Sequence, residues 1–418
     1  MKKILFIILD GAADKERSAY RFANKPNLDH LAKEGFCGMI NNELGGHPDS
    51  GISIWNLLGY KKEEYPGRGY LEALGINLQP SKNDICIRGN FATVKENLIK
   101  DISGEYKQNL IVIDRRAGRD ETGLEEIVKD LNKEKDLKYI EGIRFDVYKS
   151  IGHRVVIVIK DSASQDITDS DPGDNNLPIL EVKPKIKNDK AIKTARAVNK
   201  WLYGVYNFLK KHPINRRREI PANYILTRGS GSAKYIKEMK IKYGLKGAVI
   251  TGSPVVKGIG RALGMNVLEV EGATGKLETN LEGKIAKAVA ALSNYDLVVL
   301  HVLAPDIAAH DKILDKKIKI IEKIDEKWFK LILNKLDFNE TAVVITSDHI
   351  TDVWSGLHLP GKMPFVIYTN GIKKNGINKF DEVSCSFGPV IEIEDFFEEV
   401  LDKTQEKEEI EGELKFIE

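Results

Sequence analysis

The chain of 418 residues is poor in cysteine: Cys37, Cys86 and Cys385 are too few and too widely spaced for a disulfide framework, which points to a reducing cytoplasm. It lacks an excess of charge of either sign. Its 64 Lys and Arg oppose 62 Asp and Glu for a formal net charge of +2, so neither nucleic acid nor an anionic membrane is expected as a partner. Long apolar runs are missing too. The opening "MKKILFIILDG" has the basic end of a secretory leader, but its apolar part stops at Asp10, too short for a leader core and far too short to cross a bilayer. Glutamine is scarce beside heavy Lys, Glu and Ile usage, a composition of thermophilic type. There is no internal repeat or low-complexity block, and no apolar face beyond what a core needs, so the oligomeric state stays open.

What is present is an ordinary globular composition, 42% hydrophobic and 30% charged, in a chain long enough for two or three domains. Short runs rich in β-branched residues alternate with amphipathic stretches. That is the pattern of an α/β fold with a doubly wound, mostly parallel sheet. "KKILFIILDG" reads as its first strand and "NLDHLAKEG" as a helix stopped by Gly35. Further strands are expected at "ANYILTRG", "GAVITGS", "NVLEV", "DLVVLHVLAP", "TAVVITSDH" and "PFVIYTNG". Helices are expected at "AKYIKEMKIKYG", "LEGKIAKAVAALSN" and "LDKKIKIIEKIDEKWFKLILNKL". Between residues 85 and 185 strand-like segments crowd around one helix, "GLEEIVKDLNKE". We therefore expect an inserted smaller α+β domain there, a discontinuous core at 1–84 and 186–400, and a charged tail at 401–418.

In open α/β sheets ligands bind beyond the carboxyl ends of strands. Asp10 ends the first strand. "HVLAPDIAAHD" sets Asp306 and His310 four residues apart, on one face if that piece is helical. "ITSDHI" ends another strand with Asp348 and His349, and His358 follows in "SGLHLP". Each alone has a plain alternative: a turn at "DG", a surface pair at 306 and 310. Together the set suits two divalent ions of intermediate hardness (Mn²⁺, Co²⁺, Zn²⁺ or Mg²⁺) rather than a thiolate-rich structural zinc. In "GGHPDSGISIWNLLGY", Ser50 stands before an apolar run, either as a helix N-cap or as a nucleophile that such ions would activate.

These residues, with "ILDGAAD", "PNLDHLAKEG", "YPGRGYLEALG", "RGNFATV", "DRRAGR", "TDSDP", "PANYILTRGSG", "KGIGRALGM", "APDIAAHD", "IEKID" and "SDHIT", resemble the alkaline phosphatase superfamily. More narrowly they resemble the cofactor-independent phosphoglycerate mutases of archaeal type, over nearly the whole chain to about residue 400. The resemblance implies one metal held by Asp306, His310 and His358 and another by Asp10, Ser50, Asp348 and His349. It implies that Ser50 carries the phosphoryl group between 3-phosphoglycerate and 2-phosphoglycerate with no 2,3-bisphosphoglycerate, and that the inserted domain acts as a lid. Arg115, Arg116, Arg119 and Arg228, with Lys257, are the implied grips for phosphate and carboxylate. The chain departs from the family pattern at Asp49, Gly51, Ile54 and Gly173. Those departures leave two alternatives: another small phosphorylated substrate, as in a homoserine-kinase-like transfer, or a weakly catalytic ligand-binding protein.

Overall fold

The computed structural model describes residues 2–15, 18–43, 48–100, 106–160 and 163–405. Two compact units emerge, one of 1–63, 238–252 and 264–418, the other of 64–237 and 253–263.

The first unit is built on an eight-stranded sheet. Its order is Asn266–Val267, Gly247–Ile250, Leu297–Val302, Lys3–Leu9, Thr341–Thr346, Gly361–Tyr368, Phe36–Asn42, Val390–Glu392. The first five run parallel, Gly361–Tyr368 is antiparallel to both neighbours, and Val390–Glu392 pairs parallel with Phe36–Asn42. The expected α/β core with a mostly parallel sheet is therefore what forms. "KILFIIL" lies at the centre and is buried along nearly its whole length, which explains its unbroken apolar character. Leu9 pairs with Val302 and Ile8 with Thr346, so three neighbouring strands end side by side. The chain after each of them meets at one sheet edge.

The second unit is antiparallel. Ile85–Lys100 pairs with Tyr106–Asp114, with Arg154–Lys160 and with Tyr224–Ser232; Ile143–Lys149 and Tyr139–Ile140 extend the sheet. Helix Asp189–Lys211 lays Ala195, Val198, Trp201, Leu202, Val205 and Leu209 on it, and Trp201 stacks on Phe145 with ring centroids 5.3 Å apart. Helix Leu124–Lys133 adds Leu124, Ile127, Val128 and Leu131 to the same core.

The inserted unit is thus wider than 85–185. Helix Asp189–Lys211 and strand Tyr224–Ser232 belong to it because their apolar faces and backbone pairing are used there, not in the parallel sheet as their sequence position suggests. Of the helix expected at "AKYIKEMKIKYG" only Met239–Tyr243 forms. The expected tail at 401–418 begins inside helix Phe396–Thr404, and from 406 on it lies outside the described residues.

Candidate metal centre

Each strand end delivers one part of the site. Asp10 follows Leu9 directly, and the chain then turns at Gly11, whose φ of +59° favours glycine. A Cβ on Gly11 would press into Thr351 Oγ1 and come within 2.7 Å of Asp306 Oδ1, so the turn also needs the space. After Leu297–Val302 the chain enters helix Ala304–His310, which puts Asp306 and His310 on one face as their spacing requires. Asp348 and His349 follow Thr341–Thr346, and His358 lies on Leu357–Leu359, paired with Ile350–Asp352.

Two sets of ligand-type atoms result, each within 4.8 Å: Asp306, His310 and His358; and Asp10, Asp348 and His349. In the first set His310 Nε2 is 3.4 Å from Asp306 Oδ2, His358 Nε2 is 3.3 Å from Asp306 Oδ1, and the two Nε2 atoms are 3.2 Å apart. Their Nδ1 atoms face the carbonyl oxygens of Gly356 at 2.8 Å and Pro48 at 2.9 Å. A carbonyl only accepts, so both Nδ1 atoms donate, and in the neutral rings both Nε2 lone pairs point at one place. That arrangement calls for a cation.

In the second set His349 Nε2 lies 3.4 Å from Asp10 Oδ1, 3.3 Å from Asp348 Oδ2 and 3.0 Å from Ser50 Oγ. Asp10 Oδ1 and Asp348 Oδ2 are buried and have no hydrogen-bond partner among the described residues, although their other oxygens are well served. Asp10 Oδ2 is 2.9 Å from His301 Nε2, and Asp348 Oδ1 accepts from the N–H groups of Gly11 and His349 at 3.0 Å each. Two buried carboxylate oxygens without a hydrogen-bond partner, both beside one imidazole, suit a divalent ion.

Electrostatics agrees. Burial pushes the Asp348 carboxyl up, helped by the Asp10 charge, to about 6. Burial also opposes charge on Asp10 and Asp306, but the imidazoles around them outweigh it and hold both low, Asp306 well below the usual range. For His349 burial disfavours the imidazolium, yet Asp348 and Asp10 prevail and raise it to about 10. The pocket is built to hold positive charge.

Ser50 opens helix Ser50–Leu57, but it is not the N-cap. Asp49 takes that role, accepting the Gly51 N–H on Oδ1 at 2.9 Å, which leaves the Ser50 hydroxyl toward His349. Ile54 is fully buried in the hydrophobic interior, and Gly173 sits at φ +96° with its N–H on Asp171 Oδ1.

The inserted unit carries the arginines. Asp114 caps the turn after its strand, accepting from the N–H groups of Arg116 at 2.7 Å and Gly118 at 2.9 Å, and Ala117, Gly118 and Arg119 all take positive φ. Arg115 forms a two-pronged pair with Asp171 at 2.9 and 2.7 Å. Burial, together with the charges of Arg154, Arg116, Arg88 and Arg119, drives His153 down to about 2. Burial and the charges of Arg68, Arg154 and Arg228 likewise hold Arg88 well below its usual range, although Glu72 accepts from Arg68 at 3.0 Å and lies 3.3 Å from Arg88. Positive charge exceeds negative here, an arrangement that suits an anion. Lys257 lies in the same unit on helix Pro254–Ala262.

Sequence reasoning missed His301, Arg68, Arg88, His153 and Arg154. His301 is the one polar residue inside "LVVLHV", which was a usable signal.

The 2,3-bisphosphoglycerate-independent phosphoglycerate mutase family model matches residues 32–215. A protein of that name from Methanopyrus kandleri is 38% identical over 402 residues, spanning 93% of this chain and 92% of its own. One from Methanocaldococcus jannaschii is 36% identical over 397 residues, 92% and 93% of the two chains. Among solved structures, the cofactor-independent phosphoglycerate mutase of Thermoplasma acidophilum superposes with a TM-score of 0.62 at 29% identity, covering 97% of this chain and all of that one. A protein of Pyrococcus horikoshii superposes with a TM-score of 0.77 at 28% identity, over 97% and 98%. With this much of the sequence shared across nearly its whole length, the chain belongs to the family of 2,3-bisphosphoglycerate-independent phosphoglycerate mutases.

Proposed function

We propose that the protein interconverts 3-phosphoglycerate and 2-phosphoglycerate without 2,3-bisphosphoglycerate, in the cytoplasm, through a phosphoserine at Ser50. The observation that carries this reading is the convergence of His349 Nε2, Asp10 Oδ1, Asp348 Oδ2 and the Ser50 hydroxyl, beside a second set formed by Asp306, His310 and His358. Asp306, His310 and His358 hold one divalent ion, and Asp10, Ser50, Asp348 and His349 hold the other, each being Mn²⁺, Co²⁺, Zn²⁺ or Mg²⁺. Such ions, when bound, lower the pKa of a coordinated hydroxyl and offset charge on a phosphoryl group.

The chain's own groups do the rest. Ser50 Oγ bonds to phosphorus as the bond to the substrate's ester oxygen breaks, the serine proton passing overall to the departing oxygen. In the second transfer the neighbouring hydroxyl of the same glycerate bonds to phosphorus, its proton passing overall to the departing Ser50 Oγ. Backbone N–H groups at the start of helix Ser50–Leu57 favour the phosphoryl oxygens. Arg115, Arg116, Arg119, Arg228 and Lys257 bind the substrate's anionic groups, Arg115 oriented by Asp171. Water must be kept out between the two transfers, since it would turn transfer into hydrolysis.

A coupled assay tests this. Chelator-stripped protein receives 3-phosphoglycerate and each metal in turn, with no bisphosphoglycerate. Metal-dependent turnover that disappears in Ser50→Ala is expected. A folded, metal-loaded protein without turnover would overturn the reading and favour another phosphorylated substrate.

A further inference from the structure

Thr351 belongs to neither set of ligands, yet it touches both. It is fully buried on the short strand Ile350–Asp352, paired directly opposite His358. Its hydroxyl lies 2.7 Å from Asp306 Oδ1 and 3.1 Å from His349 Nδ1. One hydroxyl has one proton. A carboxylate oxygen can only accept, so that proton goes to Asp306. The hydroxyl oxygen then accepts from His349, which must carry its own proton on Nδ1. Nε2 is left as the atom aimed at Asp10, Asp348 and Ser50.

The backbone around Thr351 is clamped. Its N–H donates to the Ala13 carbonyl at 3.2 Å, and its carbonyl accepts from the buried Lys317 ammonium at 3.0 Å. On the open side, Gly11 supplies the room: any side chain there would run into the hydroxyl. The position of this one oxygen is therefore fixed from three directions, and it is the only direct hydrogen-bond link between Asp306 and His349 among the described residues.

We propose that Thr351 is a positioning residue whose single hydroxyl orders both sets of metal ligands, fixing the Asp306 carboxylate in one and the His349 tautomer in the other. The proposal rests on the two-ion reading above. Groups that orient ligands in this way are typically worth about 10–100-fold in metal affinity. Removing the hydroxyl is therefore expected to weaken both sites by about that factor, where loss of a contact to a single ligand would weaken one.

The test is equilibrium dialysis of the chelator-stripped full chain against Mn²⁺, with bound metal counted by elemental analysis. Wild type, Thr351→Val and Thr351→Ser are compared, and metal-free thermal melts report folding. Thr351→Ala replaces the valine variant if the extra methyl prevents folding. The expected result is two ions per wild-type chain, both weakened in Thr351→Val and both restored in Thr351→Ser. A folded Thr351→Val that binds both ions as wild type does, or loses affinity at one site alone, overturns the proposal. A wild-type chain taking up fewer than two ions contradicts the two-ion reading itself, and this appears before any substitution is made.

Discussion

Replacing Lys317 by Met removes a buried charge that holds the Thr351 backbone, without changing volume much. Lys317 is fully buried, and its ammonium donates to Asp14 Oδ1 at 2.8 Å, to the Thr351 carbonyl at 3.0 Å and to the Ala13 carbonyl at 3.2 Å. Removing one partner of a buried ion pair costs about 3–5 kcal/mol, mostly because the other charge is left unpaired. Asp14 is not left bare: the N–H groups of Ala19 and Val353 still donate to it, at 2.9 and 3.3 Å. The lower end, about 3 kcal/mol, is therefore expected. The sign of the pH dependence also follows. Burial already raises Asp14, and Lys317 offsets it only in part. Without the lysine the folded-state pKa climbs further, so the protonated acid is the form the fold prefers. The deficit should then be smallest in acid and grow as pH rises through that pKa. Urea unfolding of chelator-stripped Lys317→Met and wild type between about pH 4 and 8 measures this. A deficit within about 0.5 kcal/mol, the size of an ordinary surface change, or one that ignores pH, would refute the reasoning.

Two other outcomes follow from the same electrostatics. Burial raises Glu382, which accepts from the Asp14 N–H and from Ser18, from 4.5 to about 7; stability should fall as pH rises from about 4.5 to 7, and Glu382→Gln should flatten that slope in a series of thermal melts. Because, against burial, Asp348 and Asp10 raise His349 to about 10, Mn²⁺ uptake near pH 8 should release a proton, seen as a dependence of the calorimetric heat on the buffer's ionisation enthalpy; heats that do not vary with buffer would count against a protonated His349 in the metal-free site.

That these Asp and His residues gather into two sets was legible because strand ends and helix spacing are local signals. Asp10, Asp348 and His349 stand where apolar runs stop, and the four-residue step from Asp306 to His310 requires only that the piece be helical. The sequence also suggested Ser50 as an N-cap, whereas Asp49 caps the helix and Ser50 is its first residue. What was not legible depends on pairing across the chain. Nothing in "YILTRGSGS" says that it joins Ile85–Lys100 rather than the parallel sheet. "FCGMINN", with two asparagines and a glycine, reads weakly as a strand but is held by neighbours on both sides. The arginine cluster draws Arg68, Arg88, Arg116, Arg154 and Arg228 from segments far apart in sequence, so no local pattern announces it. Thr351 was present in "SDHIT", but its place between Asp306 and His349 needs the fold.

The central claim is that Ser50 itself carries the phosphoryl group. Its most direct test is acid quench of the Mn²⁺-loaded protein during turnover of 3-phosphoglycerate, followed by mass spectrometry of the peptide containing Ser50. Phosphate on Ser50, absent from Ser50→Ala and from chelator-treated protein, is the result expected. Steady turnover with no phosphate on Ser50 at any quench time, or turnover persisting in Ser50→Ala, would contradict the account.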